Sequence, residues 1–230
     1  MAQAATNAQP PVPQRAGLGR RVAAALVRRR EASILLILIG LSVYFSLATE
    51  AFGGRDNAQV VAEFSAPIAI IAAGEVMLLI CGEIDLSAGN VYAFSAWIFY
   101  FGATDWGLPI WLAVIAGLLS GSLVGLANGL ITVIVGVPSF ITTLGMIFLL
   151  NGLTLKISGA FPVETPGGHT FFRFFGGSPY STLYWALGVI IVMTILLGRT
   201  RWGLRTIATG GNLIGASESG VNVRGIKIGN

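Results

Sequence analysis

Three carboxylates stand in apolar surroundings: Glu75 within IIAAGEVMLL, and Glu83 and Asp85 within ICGEIDLSAGN, where that run ends. An ionisable side chain in hydrocarbon costs at least ~2.5–3.5 kcal/mol on insertion scales, so each is a candidate for meeting a polar permeant or relaying a proton. For Glu75, an interhelical hydrogen bond to a Ser, Thr or Asn is an equally good account. Asp85 and Ser87 are both helix N-cap types and lead directly into a new apolar run. With Gly82 and Gly89 on either side, they predict a capped, bent or re-entrant element. Such a break is tolerated at membrane depth only where protein or a water-filled cavity satisfies its backbone, and in transporters it often lies beside the pathway. Glu75, Glu83, Asp85, Ser87, Gly89, Asn90 and, further on, Asn151 are therefore the candidate pathway residues.

The elements that must position them follow from composition. The chain has 230 residues, 54% of them hydrophobic and only 10% charged. Soluble domains carry ~25% charged residues, so water is the wrong solvent for most of this surface. An all-α, polytopic transmembrane bundle is the expected fold class. The single cysteine, Cys81, excludes disulfides and cysteine metal clusters. Lys and Arg total 14 against 10 acidic residues; in a membrane chain their placement matters more than the excess, and no nucleic-acid partner is implied.

Residues 1–32 form a Pro/Ala/Gln-rich and then arginine-rich tail, too poor in large apolar groups to fold. The following apolar run is too long for a cleaved signal h-region and reads as a retained signal anchor. Spans are expected at about 33–49, 66–82, 89–103, 109–135, 138–157 and 181–198, six within a bundle of residues 33–198, with 199–230 as a cytoplasmic loop. One side holds Arg15, Arg20, Arg21, Arg28, Arg29, Arg30, Arg199, Arg201, Arg205, Arg224 and Lys227, and the other only Arg55, Lys156 and Arg173. That bias places both termini in the cytoplasm. The outer loop 158–180 is rich in Gly, Pro and aromatic residues, suiting an interfacial belt; its His169 lacks the partners that zinc requires.

Gly117, Gly121, Gly125 and Gly129 recur every four residues, which puts them on one helix face. Close helix packing is the simpler reading of that stripe and a permeant-lining groove the sharper one. Pro138 suits a first helical turn, and Ser139, Thr142, Thr143 and Asn151 give the next span a polar side suited to interhelical hydrogen bonds. No G-x-x-x-x-G-K-[ST] phosphate loop surrounds Lys156 or Lys227, so ATP, if used, belongs to another subunit. After the last span, Gly210 and Gly211 are expected to break the preceding helix. Asn212 then caps a short helix 213–219 that Gly220 ends, making a small rigid knob suited to a partner's cleft.

Three stretches, GEIDLSAG, VPSFITTLGM and ATGGNLIGASESGVNV, resemble in order and spacing the permease subunits of bacterial ABC importers for ribose, xylose and similar monosaccharides. The resemblance runs from about Ala58 to the C-terminus. It implies a second permease copy, a cytoplasmic ATPase subunit that binds the ATP, and a periplasmic sugar-binding protein, with lipid around the spans and the bacterial inner membrane as location. It also implies a coupling helix at Gly210, Gly211, Asn212, Ala216, Ser217 and Gly220, and a pathway position for Asp85, Leu86, Ser87 and Gly89. Leu213, Ile214 and Glu218 depart from that pattern, and such permeases normally continue with further spans.

The expectation is a membrane-spanning importer subunit that performs no covalent chemistry. Two alternatives are a proton-coupled secondary carrier using Glu75, Glu83 or Asp85, and a non-transporting truncated permease. The particular sugar is not legible.

Overall fold

The computed structural model describes residues 30–161, 163, 166, 168–176 and 180–230, and every described element is helical. The chain forms two units, one ending at Ala58 and the other covering Gln59–Asn230. In the first, helix α1 (Arg30–Ala48) is followed by a 3-10 turn, Glu50–Gly53, capped by Thr49. Phe45 stacks on Phe52 across that turn, and Asn57 Nδ2 donates to the Phe52 carbonyl at 2.8 Å.

The second unit carries most of α2 (Arg55–Ile80), then α3 (Ala88–Thr104) and α4 (Ile110–Leu130), which a π-helical turn extends to Val135. Next come α5 (Ser139–Ser158), α6 (His169–Phe175), α7 (Ser181–Arg199), α8 (Arg201–Gly211), α9 (Leu213–Glu218) and α10 (Val223–Gly229). Among the described residues, four helices are long and apolar enough to cross a membrane: 55–80, 110–135, 139–158 and 181–199. The shorter α3, of 17 residues, rises about 25 Å at 1.5 Å per residue, less than a ~30 Å hydrocarbon core. Six spans is thus an approximate count, with α1 and α3 the marginal members.

Burial is inverted relative to a soluble protein. Leu118, Phe148 and Ile134 lie on the surface, whereas Ser87, Asn128, Thr142, Thr143, Thr206 and Thr209 are buried. Small and polar residues let membrane helices approach and bond, while large aliphatic ones face lipid. The antiparallel pair α3–α4 packs this way. A Cβ on Gly102 would lie 3.2 Å from the Ala113 Cβ, and one on Gly117 3.0 Å from the Ser95 carbonyl oxygen.

Several sequence boundaries shift. The second span was expected from residue 66, but α2 begins at Arg55, because hydropathy sees the apolar length and misses the polar first turns. Loop 158–180 contains the aromatic helix α6, whose Phe175 stacks on Trp185. The His169 side chain lies outside the described residues. Gly210 and Gly211 do not break the helix: α8 runs through both to Gly211 and ends at the Asn212 cap. A helix of seven residues, α10, follows the knob where the sequence reading had only loop.

Candidate polar cavity and its walls

The chain between α2 and α3 is a loop with every turn accounted for. Gly82 adopts a left-handed φ of 78° and closes α2 as a Schellman cap: its N–H donates to the Leu79 carbonyl at 3.1 Å, and the Glu83 N–H to the Leu78 carbonyl at 3.0 Å. The next residues lie along the start of α5. Ser139 Oγ accepts from the Ile84 N–H and Thr143 Oγ1 from the Leu86 N–H, both at 3.2 Å. Those hydroxyls are four residues apart, on one helical face. The polar side of the fifth span thus serves as the seat for the loop.

Asp85 closes the loop. Its Oδ1 accepts from the Ser87 N–H at 2.7 Å and from the Ser87 hydroxyl at 2.6 Å. The sequence offered Asp85 and Ser87 as equal caps; Ser87 holds the cap position of α3 but its own side chain makes no cap bond. Fully buried, its hydroxyl instead accepts from Asn128 Nδ2 at 3.0 Å, linking the loop to the last turn of α4. Asn128 Oδ1 is buried with no hydrogen-bond partner.

Between this loop and the ends of α4, α5 and α10 lies a cavity of about 350 Å³. Its walls include Glu83, Asp85, Ser122, Gly125, Asn128, Gly129, Ser139, Thr143, Lys227 and Asn230. That volume is at the small end of the ~300–1,000 Å³ found for small-molecule pockets. Lys227 forms an ion pair with Glu83 on one wall. The cavity therefore offers the Glu83–Lys227 pair, a second carboxylate at Asp85, hydroxyls and two amides, Asn128 and Asn230, groups able to hydrogen-bond a hydroxyl-rich molecule.

The candidate residues distribute as follows. Glu83 and Asp85 line the cavity, with Ser87 behind Asp85. Glu75, half-buried on α2, lies within electrostatic reach of Asp85 but off the wall. Asn90 donates to Asn151 at 2.7 Å, joining α3 to α5 away from the cavity, and Gly89 is exposed. The glycine stripe divides. Gly117 and Gly121 meet α3, Gly125 borders open cavity, and a Cβ on Gly129 would come within 3.2 Å of the Ile228 Cα.

On the basic segment, Asn212 Oδ1 accepts from the Gly215 N–H at 2.9 Å, and Gly220, at φ 81°, ends the knob. Ala216 points inward, while Gly211, Asn212, Ser217 and Gly220 are exposed. Gly210 presses on the end of α2. Among the described residues no cluster of His, Cys, Asp and Glu could hold a metal.

Sequence reasoning passed over Asn128 and Lys227. An amide inside the apolar run of α4 was a signal for the first, and an unpaired Glu83 demanded the second. If the loop is seated as described, Thr143→Val leaves the Leu86 N–H without its acceptor. Stability then falls by about 1–2 kcal/mol. An unchanged melting temperature in detergent would place the loop's anchor elsewhere.

Comparison with known proteins decides the family. The family model described as the branched-chain amino acid transport system / permease component matches residues 57–229. The chain belongs to that permease family. It is 39% identical over 213 residues to the xylose/arabinose import permease protein XylH of Sulfolobus acidocaldarius, covering 88% of this chain and 58% of that protein. The ribose import permease protein RbsC of Escherichia coli K12 is 30% identical over 220 residues, 91% of this chain and 67% of RbsC. The autoinducer 2 import system permease protein LsrC of Yersinia enterocolitica is 26% identical, with 86% and 56% covered. This permease thus spans little more than half the length of XylH. No solved structure matches it. The three sequence stretches named above all fall within the matched residues, and the ribose/xylose-type sugar permeases are its relatives.

Proposed function

We propose that this permease is the membrane-spanning subunit of an ATP-driven importer, and that its polar cavity is part of the path of a monosaccharide such as ribose or xylose across the bacterial inner membrane. The cavity itself carries the reading: hydroxyls, two amides, the Asp85 carboxylate and the Glu83–Lys227 ion pair at the end of a lipid-facing bundle. The printed names of XylH and RbsC support the substrate class. Asn128 Oδ1, buried and unpartnered, is an acceptor that a sugar hydroxyl can satisfy when the walls part.

The rest of the assembly follows. The arginine-bearing end, with α8 to α10, faces the cytoplasm together with both termini. The segment 210–220 meets an ATPase subunit that holds the ATP. A sugar-binding protein docks at the aromatic end, and a second permease copy and lipid cover the apolar faces. This chain binds and releases its cargo without making or breaking covalent bonds in it.

Uptake of radiolabelled xylose or ribose into proteoliposomes holding the full-length chain and its ATPase tests the reading. ATP should drive uptake and a protonophore should leave it unchanged. Uptake that follows the proton gradient would transfer the role to an acid such as Glu75, and partner binding without flux would point to an assembly role. The knob has its own test. Ile214 is 70% exposed on α9. Ile214→Arg should weaken ATPase capture by roughly tenfold, about 1.4 kcal/mol, with insertion intact. Undiminished capture would move the docking surface off α9.

A further inference from the structure

The cavity is walled by two pieces of chain with separate anchors. Loop 81–87 is tied to α4 and α5 by uncharged hydrogen bonds through Ser139, Thr143 and Asn128. The α8–α10 segment is held by close packing instead: a Cβ on Gly229 would fall 2.5 Å from the Trp202 ring, and Trp202 Nε1 donates to Asn230 Oδ1 at 2.7 Å. Glu83 and Lys227, 144 positions apart, join the two pieces. Their side chains are only 16% and 19% exposed.

A pair so shielded is weakly screened by salt, yet apolar residues of equal size often stabilise as well. What a buried pair adds is a fixed register between the parts it joins. The other contacts between these parts are uncharged: Gly210 packs against Ile80, and the Cys81 thiol donates to the Thr206 carbonyl at 3.8 Å and accepts from Asn230 Nδ2 at 3.1 Å. Sulfur hydrogen bonds are weak, and packing resists approach more than separation. The ion pair is the charge-assisted contact across the seam, so it passes on a pull.

We propose that the Glu83–Lys227 pair is the positioning link through which displacement of α9 and α10 reaches the Asp85 loop and the cavity wall. The inference rests on the importer reading, since it needs a partner that moves α9. When α10 shifts, Lys227 carries Glu83 with it, and the Glu83 backbone is two residues from Asp85. The wall holding Asp85 and Ser87 then moves against Asn128, changing the access to the cavity.

The test measures xylose or ribose moved per ATP hydrolysed, in proteoliposomes with the full-length chain and its ATPase. Glu83→Gln and Lys227→Gln are each expected to lower that ratio at least about fivefold, with the ATPase still bound and still hydrolysing. The exchange variant Glu83→Lys/Lys227→Glu should restore most of it. A merely structural pair would lower yield and leave the ratio unchanged. Single variants at the parent ratio overturn the link, and so does an exchange variant as poor as the singles. Should a single variant fail to insert, the exchange variant decides alone. Absence of ATP-driven uptake by the parent chain overturns the importer reading and the link with it, whereas normal parent uptake with unaffected variants overturns the link only.

Discussion

Gly210→Ala is expected to destabilise the permease by about 3 kcal/mol or more, while its neighbour Gly211→Ala is neutral or slightly stabilising. A Cβ at Gly210 would sit 1.6 Å from the Ile80 carbonyl oxygen and 2.7 Å from its carbon. Ordinary C···O contacts lie at about 3.3–3.6 Å. Both atoms are backbone, so no side chain can swing aside; α8 must leave the end of α2. That movement also strains Cys81, whose Sγ lies 3.1 Å from Asn230 Nδ2, and so the floor of the cavity. At Gly211 nothing lies within 4 Å. Alanine there restricts the unfolded chain and adds helix propensity. Thermal unfolding of the two purified variants in detergent checks the contrast. Equal melting temperatures would mean that α8 and α2 are not in contact in the protein.

The same pair of glycines shows where sequence reading stops. Composition alone required a lipid-facing helical bundle, and the N-cap types at Asp85, Asn212 and their following residues marked two helix starts that the fold contains. Two adjacent glycines before an N-cap looked like a helix break. In the fold they lie within a helix, because one of them is needed for a close approach to a segment 130 residues earlier, and local pattern carries no record of such a partner. Lys227 was legible as a basic residue but not as the partner of Glu83, for the same reason. Asn90 and Asn151, both pathway candidates, are joined by one hydrogen bond from Asn90 to Asn151, the interhelical bonding that the polar side of the fifth span suited.

Asp85→Ala is expected to cost about 2–3 kcal/mol, and Asp85→Asn much less than half of that. The carboxylate accepts two hydrogen bonds, from the Ser87 N–H and hydroxyl, on the same Oδ1. Alanine removes the acceptor for both and leaves a fully buried serine to rearrange. Because Ser87 also accepts from Asn128, the disturbance reaches the last turn of α4. Asparagine keeps an oxygen in the same place, and Asn and Asp are about equal as caps. The substitution therefore separates the two roles this acid can have. As the closing element of the loop, Asp85 needs an acceptor oxygen, and the asparagine variant should keep both its melting temperature and ATP-driven uptake. As a proton relay it needs a titratable group, and the same variant would remain folded while gradient-driven uptake collapsed. Folded and inactive under ATP is the result that would sink the structural account, because the hydrogen bonds to Ser87 would then be intact and the missing ingredient could only be the charge.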